Sequence, residues 1–536
     1  MSGQGKAMPR QGRSGEEILA AMREARGGDA AWEDGKVWCL VYHAGEEISG
    51  FLKEAYTTYF SENALNPSAF PSLKQMEYET IAMTAHLLGG DAEVQGSMTS
   101  GGTESILMAM KAARQWGKAN KRLVCGPYEV VLPTTAHPAF EKAAYYFGLK
   151  LVRVPVDEDF RADVRAMRRA ITRRTVMLVG SAPQYPQGVV DPIDQIGALA
   201  QRKGILCHVD ACVGGMMLPF VRELGYDVPP FDFRVPGVTS MSVDLHKYGY
   251  AAKGASVVLH RNAALRRNQY FVYTDWPGGI YASPSMTGTR PGGAIAAAWA
   301  IMHRLGHEGY LEIAREVMDV SVKLRDGVNA IPGVKIMGDP TMSVMAIGAD
   351  GDLDIYEVGD FMSERGWHLD RQQHPECLHM TINRGHLVSA DTFLSDLAEA
   401  ARTCMRDPST HRKAVAKMKL LNTVVKLTPS PIVTLATPLA TKVLGLGGDG
   451  GELPTRSAAM YGMIAALPNR GDIHTLVMDI FDKMTRFDPN AAPILDDTPA
   501  SAVPGLKRDA EDDGDEIEAA QNITPLPTSH DETGTT

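Results

Sequence analysis

Apolar positions along this chain recur with two periods. Between about residues 60 and 300, short apolar runs (Val130-Val131-Leu132, Val176 to Val179, Ile205 to Val209, Val257-Val258-Leu259) alternate with stretches such as Ile106 to Ala113, whose apolar residues follow a helical spacing. Such runs, bounded by turn residues and separated by amphipathic stretches, predict buried strands of a mostly parallel sheet joined by crossover helices. Two helical stretches, Ala294 to Leu305 and Tyr310 to Val328, lead to the apolar runs Val334 to Met337, Ser343 to Ile347 and Leu378 to Ile382, and then to another helix. That succession predicts a second, smaller α+β unit.

The pattern divides the chain into a Gly-rich, charged N-terminal arm over 1–59, a large domain over 60–305, a small domain over 306–410, a helical extension over 411–490 and a tail over 491–536. The arm contains one short amphipathic helix near Glu16 to Arg26. Pro, Thr and a dense acidic cluster from Asp509 to Glu518 predict a disordered tail. Within the extension, Thr423 to Leu446 is apolar but broken by Lys426, Pro429, Pro431, Pro438 and Lys442, a pattern suited to peripheral membrane contact and no more. The run Gly445 to Gly451 has neither a preceding strand nor an acidic partner and reads as a flexible loop.

Composition narrows the function classes. A chain of 536 residues exceeds what one core supports. Its formal charge of −10 and lack of a Lys/Arg block argue against a nucleic-acid substrate. Six scattered cysteines show no disulfide spacing and imply reduced thiols in a cytosolic setting. No run of about eighteen apolar residues occurs and the N-terminus begins polar, so neither a spanning helix nor a secretory signal is expected and the protein should be soluble and cytoplasmic.

The candidate chemistry lies in three segments. In Asp244-Leu245-His246-Lys247-Tyr248, the flanking His246 and Tyr248 are expected to desolvate Lys247 enough for it to lose its proton near neutral pH and condense with an aldehyde as a Schiff base. Asp210, ending the apolar run Gly204 to Val209, is suited to keep a pyridine nitrogen protonated, which makes the ring an electron sink. Strand C-termini face the ligand cleft in open α/β sheets. Third, Ser100-Gly101-Gly102-Thr103 opens a helical stretch and offers backbone N–H groups and hydroxyls to a phosphate, aided by the helix dipole. Each has a bland counterpart: a solvated His-Lys pair, a strand-end turn residue, a well-capped helix. Three in order point to pyridoxal 5'-phosphate. Cys207, His208, Asp210 and Cys212 lack a second ligand cluster, so no metal is expected.

With these segments, Ser181-Ala-Pro-Gln-Tyr-Pro-Gln-Gly188, the continuation Tyr248-Gly-Tyr-Ala-Ala-Lys-Gly254 and Thr287-Gly-Thr-Arg-Pro-Gly-Gly293 resemble the sphingosine-1-phosphate lyases, fold-type I pyridoxal-phosphate enzymes related to the group II amino-acid decarboxylases. The similarity runs from about Val37 to about Asp407. It implies an α/β PLP-dependent transferase fold, a large domain with a mostly parallel central sheet plus a smaller α+β domain. It also implies a homodimer with shared active sites and cleavage of the Cα–Cβ bond of a phosphorylated sphingoid base to an aldehyde and phosphoethanolamine.

By the same resemblance, His137 stacks on the cofactor ring, and Ser242 and His246 join Ser100, Gly101, Gly102 and Thr103 at its phosphate. Gly288 and Thr289 approach from the neighbouring subunit. Tyr42 and Lys253 take the substrate phosphate, and Tyr185 sits close to the substrate. Tyr185, Lys247 or the cofactor phosphate serves as the base for the substrate's 3-hydroxyl. One departure is implied: Asn66 stands where the family has a histidine, removing a positive charge from the substrate-phosphate site, with His43 nearby as a substitute. The shared His-x-Asp-Ala and Asp-x-His-Lys elements leave an amino-acid decarboxylase as the alternative, and a noncatalytic scaffold as a more distant one.

Overall fold

The computed structural model describes residue 8, residues 11–30, 32–66, 68–121 and 124–406, and isolated positions between 474 and 495. Apart from those positions, the extension over 411–490, its Pro-broken segment and Gly-rich run, and the tail over 491–536 lie outside the described residues.

Seven strands form the main sheet: β1 (Gln95–Thr99), β2 (Glu129–Pro133), β3 (Lys150–Val154), β4 (Thr175–Ser181), β5 (Leu206–Asp210), β6 (Ser240–Asp244) and β7 (Ser256–His260). Their order is β1-β7-β6-β5-β4-β2-β3. β7 runs antiparallel to both neighbours and the other pairings are parallel. β2, β4 and β5 are buried along their whole length, as continuous apolar runs covered on both faces require. Because β4, β5 and β6 are parallel and in register, Ser181 pairs with Asp210 and Asp210 with Ser242, which brings three strand ends to one edge.

Apolar runs did not announce β1 (Gln-Gly-Ser-Met-Thr) or β6 (Ser-Met-Ser-Val-Asp), yet both are buried. Hydroxyls satisfy one another there: Thr99 Oγ1 lies 2.6 Å from Ser105 Oγ, which lies 2.7 Å from Ser256 Oγ. A polar strand is tolerated inside when each polar atom finds a partner.

The exposed hairpin β8 (Phe271–Tyr273) and β9 (Tyr281–Ser283) precedes the long helix Gly292–Asn329. At Gly306, with φ 58° and ψ −171°, the helix breaks between the two stretches expected from the periodicity. The second sheet, β10 (Val334–Ile336), β11 (Val344–Ala349), β12 (Asp370–Gln372) and β13 (Cys377–Thr381), is antiparallel in the order β10-β11-β13-β12. Its core joins Trp367 and Phe393 to Trp38, whose ring centroid is 4.3 Å from that of Phe393. Val37, Trp38 and Cys39 are buried and Ile48 belongs to the core of the large domain. Residues 1–59 are therefore not one arm: their second half is anchored by Trp38 in the small-domain core and by Ala44 and Ile48 in that of the large domain.

The helix Gly15–Arg26 has a capping box between Ser14 and Glu17 and buries none of its residues. Among the described residues, no helix is long and apolar enough to cross a membrane.

Candidate active site

A cavity of about 390 Å³ opens at the shared edge of β4, β5 and β6, within the size range of cofactor sites. Its lining includes Ser100 to Thr103, His137, Tyr185, Asp210, Asp244, His246 and Lys247. A larger cleft of about 630 Å³ beside β1 and the helix Pro71–Leu87 holds the ion pair Arg290–Glu77 but no lysine–carboxylate constellation of this kind. Chemistry, not size, selects the smaller one.

β6 ends at Asp244, and the chain turns sharply through Leu245 and His246 to Lys247. Gly249 closes the turn, since a Cβ there would lie 2.4 Å from the Leu245 carbonyl oxygen. Lys247 Nζ lies 3.0 Å from Asp244 Oδ2 and keeps 24% of its side chain exposed. Burial draws the Lys247 ammonium down, but the Asp244 carboxylate, with smaller contributions from Tyr42 and Cys212, outweighs this and holds the group well above its ordinary value. The expectation that His246 and Tyr248 free Lys247 of its proton is thereby corrected. Tyr248 is occupied elsewhere, donating to the Ile382 carbonyl at 2.7 Å and accepting from Ser343 at 2.6 Å. Asp244, three residues before Lys247, is a cavity carboxylate to which the sequence reading gave no role. Its Oδ1 is buried without a hydrogen-bond partner.

Asp210 sits at the end of β5, 7% exposed, and its Oδ1 accepts from the Cys212 amide at 3.1 Å and from Ser242 Oγ at 3.2 Å. Ser242 is fully buried and also lies 3.3 Å from His208 Nε2. The expected role of Ser242 at the cofactor phosphate is corrected: strand register pairs it with Asp210, its hydroxyl is engaged by Asp210 and His208, and it does not line the cavity. His208 also lies 2.9 Å from Ser240 Oγ, and burial pushes it down to about 4, so it supports Asp210 as a neutral ring.

Gly101 and Gly102 begin the helix Gly102–Asn120 with no side-chain cap. A Cβ on Gly102 would stand 2.7 Å from Asp244 Oδ2 and 2.8 Å from Cys212 Sγ, so only glycine leaves this floor open. Both Ser100 donors, N–H and Oγ–H, go to Glu104 Oε2 at 2.7 Å, while Glu104 Oε1 accepts from the Met286 amide at 2.7 Å. His137 Nδ1 accepts from the Ala139 amide at 3.1 Å, which fixes the ring at the mouth of the cavity. Burial lowers its affinity for a proton, partly countered by Asp210. A neutral flat ring, an open glycine floor, a carboxylate at a strand end and an amine together suit a planar phosphorylated pyridine carrying an aldehyde, so the residues fit pyridoxal 5'-phosphate.

The other expected residues divide. Lys253 Nζ donates to the Leu40 carbonyl at 2.9 Å and lies 5.3 Å from the Tyr42 ring centroid, so these two meet. Burial lowers the Lys253 ammonium, and Lys247 adds to the effect. Asn66 is exposed and uses its Oδ1 to accept from the Ser68 amide at 2.9 Å. Asn66, Gly288 and Thr289 do not line the cavity. Their segments are tied together instead, through the Asn63–Pro291 bridge and the Ala64 amide on the Arg290 carbonyl at 2.9 Å. His43 is engaged 3.5 Å from Glu46.

Tyr185 enters the cavity from the loop after β4. Its hydroxyl donates to Asp370 Oδ2 at 2.7 Å and its ring stacks on His379 at 3.9 Å. Burial and the Asp370 carboxylate push the phenol well above its ordinary value. Asp370 carried no signal in the sequence. Ligand atoms of Cys39, His368 and Asp370 lie within 4.8 Å of one another, and no fourth His, Cys, Asp or Glu among the described residues joins them.

The pattern of the pyridoxal-dependent decarboxylase conserved domain matches residues 27–347. The sphingosine-1-phosphate lyase of Arabidopsis thaliana is 42% identical over 476 residues, covering 87% of this chain and 79% of the relative. Sphingosine-1-phosphate lyase 1 of Rattus norvegicus is 45% identical, covering 75% of this chain and 71% of its own. Among solved structures, the sphingosine-1-phosphate lyase of Burkholderia pseudomallei superposes with a TM-score of 0.72 at 41% identity, covering 78% of this chain and 97% of that one. Glutamate decarboxylase from Lactobacillus brevis matches at TM-score 0.65 and 20% identity, over 74% of this chain and 95% of that one, a likeness of fold.

Proposed function

Since the chain belongs to the sphingosine-1-phosphate lyase family within the pyridoxal-dependent decarboxylases, we propose that it cleaves the Cα–Cβ bond of a phosphorylated sphingoid base, releasing a long-chain aldehyde and phosphoethanolamine. The observation that carries this reading is the meeting of Lys247, Asp244, Asp210 and the Gly101-Gly102 floor in one cavity, in a chain 40–45% identical to such lyases. When bound, pyridoxal 5'-phosphate supplies an aldehyde that takes up an amine and a ring that draws electrons from the bond next to it.

Lys247 supplies the amine that holds the cofactor, and Asp244 keeps that amine directed into the cavity. Asp210, oriented by Ser242 and the Cys212 amide, would pair with the pyridine nitrogen. His137 would stack on the ring. Gly101, Gly102 and Thr103 would receive the phosphate with their backbone amides, aided by the helix dipole, with His246 beside it. Ser100 joins only if it exchanges Glu104 for the phosphate. Lys253, beside Tyr42, attracts the phosphate of the substrate by charge.

The surface that carries Asn66, Gly288 and Thr289 is read as the part donated to a second copy, which makes the enzyme a homodimer with shared sites. The exposed apolar hairpin with Phe271, Trp276 and Ile280 adjoins that surface in sequence and supports the reading. Six free cysteines, four of them buried at Cys39, Cys207, Cys212 and Cys377, fit a reducing compartment such as the cytoplasm.

Incubation of the purified protein with sphingosine 1-phosphate, followed by mass spectrometry, tests the activity. Aldehyde and phosphoethanolamine from the wild type and neither from Lys247→Ala are expected. Release of carbon dioxide from amino acids, without that cleavage, would move the protein to the decarboxylases.

A further inference from the structure

The cleavage proposed above requires the 3-hydroxyl of the substrate to lose a proton, and the cavity lining offers an acceptor besides Lys247. Tyr185 lines the cavity, and its O–H is committed to Asp370 Oδ2 at 2.7 Å. The phenolic oxygen therefore presents only lone pairs to the cavity. It can accept a hydrogen bond from a substrate hydroxyl, but it can take the proton only as its own leaves for Asp370.

Three contacts hold this arrangement. The Tyr185 ring stacks on His379 with centroids 3.9 Å apart and planes 24° from parallel. His379 is the register partner of Asp370 across β12 and β13, so one strand pair carries both the stacking platform and the carboxylate. Cys39 donates its thiol to the other carboxylate oxygen, Asp370 Oδ1, at 3.4 Å. Both donors to Asp370 are neutral, so they orient the carboxylate without neutralising it.

Resting on the lyase reading, we infer that Asp370 is the terminal acceptor of the substrate's hydroxyl proton, acting through Tyr185. The substrate O–H bond breaks as its proton passes to Tyr185 Oη, and the Tyr185 O–H bond breaks as its proton passes to Asp370 Oδ2. The oxygen's electron pair becomes the second bond of the aldehyde carbonyl while Cα–Cβ breaks. The pair from that bond stays with the amine-bearing fragment, whose Cα is then protonated. Asp370 returns its proton to water before the next turnover, so one proton is lost and one gained. Asp370 is thus a positioning residue for Tyr185 as well as its proton sink.

The titratable surroundings are compatible with this role. On neighbouring elements, Asp370 faces Cys39, Tyr185, His368 and His379, and on its own strand Arg371 is bound to Asp360 at 2.6 Å. Burial pushes His379 down to about 4, so it adds no positive charge beside the carboxylate near neutral pH. Burial and Asp370 keep the Cys39 thiol protonated, and the same two causes make a free phenolate at Tyr185 unfavourable.

Asp370→Asn is nearly isosteric, and its amide oxygen still accepts from the Tyr185 hydroxyl, so the ring stays in place while the sink is lost. With wild-type holoenzyme cleaving sphingosine 1-phosphate as the control, the variant should lower kcat by about 10²–10⁴-fold with KM little changed, the range for losing a general base. The acid limb of the kcat pH profile should vanish, and Asp370→Glu should recover part of both. In cofactor-free protein, the Tyr185 phenol, assigned by subtracting the ultraviolet titration of Tyr185→Phe, should ionise at lower pH once the carboxylate is gone. A full rate in Asp370→Asn, or a reduced rate with the acid limb intact, overturns the relay. If Asp370→Asn fails to take up cofactor, Tyr185→Phe, which leaves Asp370 and the ring stack, decides in its place: a full rate overturns the relay and loss of the acid limb supports it. An inactive wild type rejects the lyase reading instead.

Discussion

Two carboxylates flank the reacting centre, and they are held by opposite kinds of partner. Asp244, 2% exposed, faces the Lys247 ammonium at 3.0 Å and the His246 ring at 3.8 Å. Asp370 takes its hydrogen bonds from a phenol and a thiol. An ion pair favours the charged form of both members, so the Lys247 wall stores a proton on nitrogen until an aldehyde arrives. Neutral donors leave the Asp370 carboxylate without a counter-cation, so the proposed relay assigns its wall the part of acceptor. The walls also differ in origin, since Asp244 and Lys247 are three residues apart whereas Tyr185 and Asp370 are 185 residues apart.

The largest effect is expected on the charged wall. Lys247→Ala should reduce cleavage by at least about 10⁴-fold, the scale of removing a covalent group. Product analysis with visible absorbance checks this, and retention of more than a few per cent of the rate would erase the distinction between the walls.

Asp244→Asn sharpens the contrast next. Asp244 stabilises the ammonium, and only the free amine condenses, so removing the carboxylate should let burial prevail and move the pH midpoint for cofactor capture downward. Stopped-flow absorbance across pH reads this, and an unmoved midpoint would deny Asp244 its role in holding the proton.

Gly102→Ala tests the floor between the walls. A methyl group 2.7 Å from Asp244 Oδ2 should cost about 1–3 kcal/mol, roughly five- to 150-fold in cofactor Kd. Equilibrium titration with pyridoxal 5'-phosphate measures it.

Acid should then loosen the frame that supports both walls. Burial pushes His208, His260, His379 and His386 each down to about 4, whereas an unfolded imidazole titrates near ~6.5. Because the unfolded chain binds these protons more readily, this contribution is fully present above about pH 6.5 and is lost as pH falls towards about 4, on the order of 2 kcal/mol per histidine at pH 5. The Tm should fall between pH 7 and 5, and a flat profile would refute the buried neutral set.

The smallest effect is expected at Ser242→Ala, which removes the 3.2 Å hydrogen bond to Asp210. A loss of about 1 kcal/mol, several-fold in cofactor Kd, is expected, and isothermal titration distinguishes it from no change.

Much of the charged wall was legible because local chemistry writes it locally. Asp210 ends an apolar run, Lys247 stands between His246 and Tyr248, and Gly101-Gly102 precede a helical stretch, so each is marked by its own neighbours. The strands β1 and β6 were hidden because their hydroxyls find partners only on other elements. Ser242 was misassigned for a related reason: register with Asp210, not proximity to Lys247, directs its side chain. The membership of Trp38 in the small-domain core was equally illegible, since aromatic packing across the chain leaves no periodic trace.

The sequence by itself determined the alternation of elements and the break at Gly306, and it offered the candidate amine, carboxylate and glycine loop, since periodicity, backbone freedom and functional groups are properties of neighbouring residues. Only the tertiary structure decided the protonation of Lys247, the duty of Ser242 and the meeting of Tyr185, His379 and Asp370. Those depend on distances between strand ends and on water removed by burial, and neither exists until the sheets have formed.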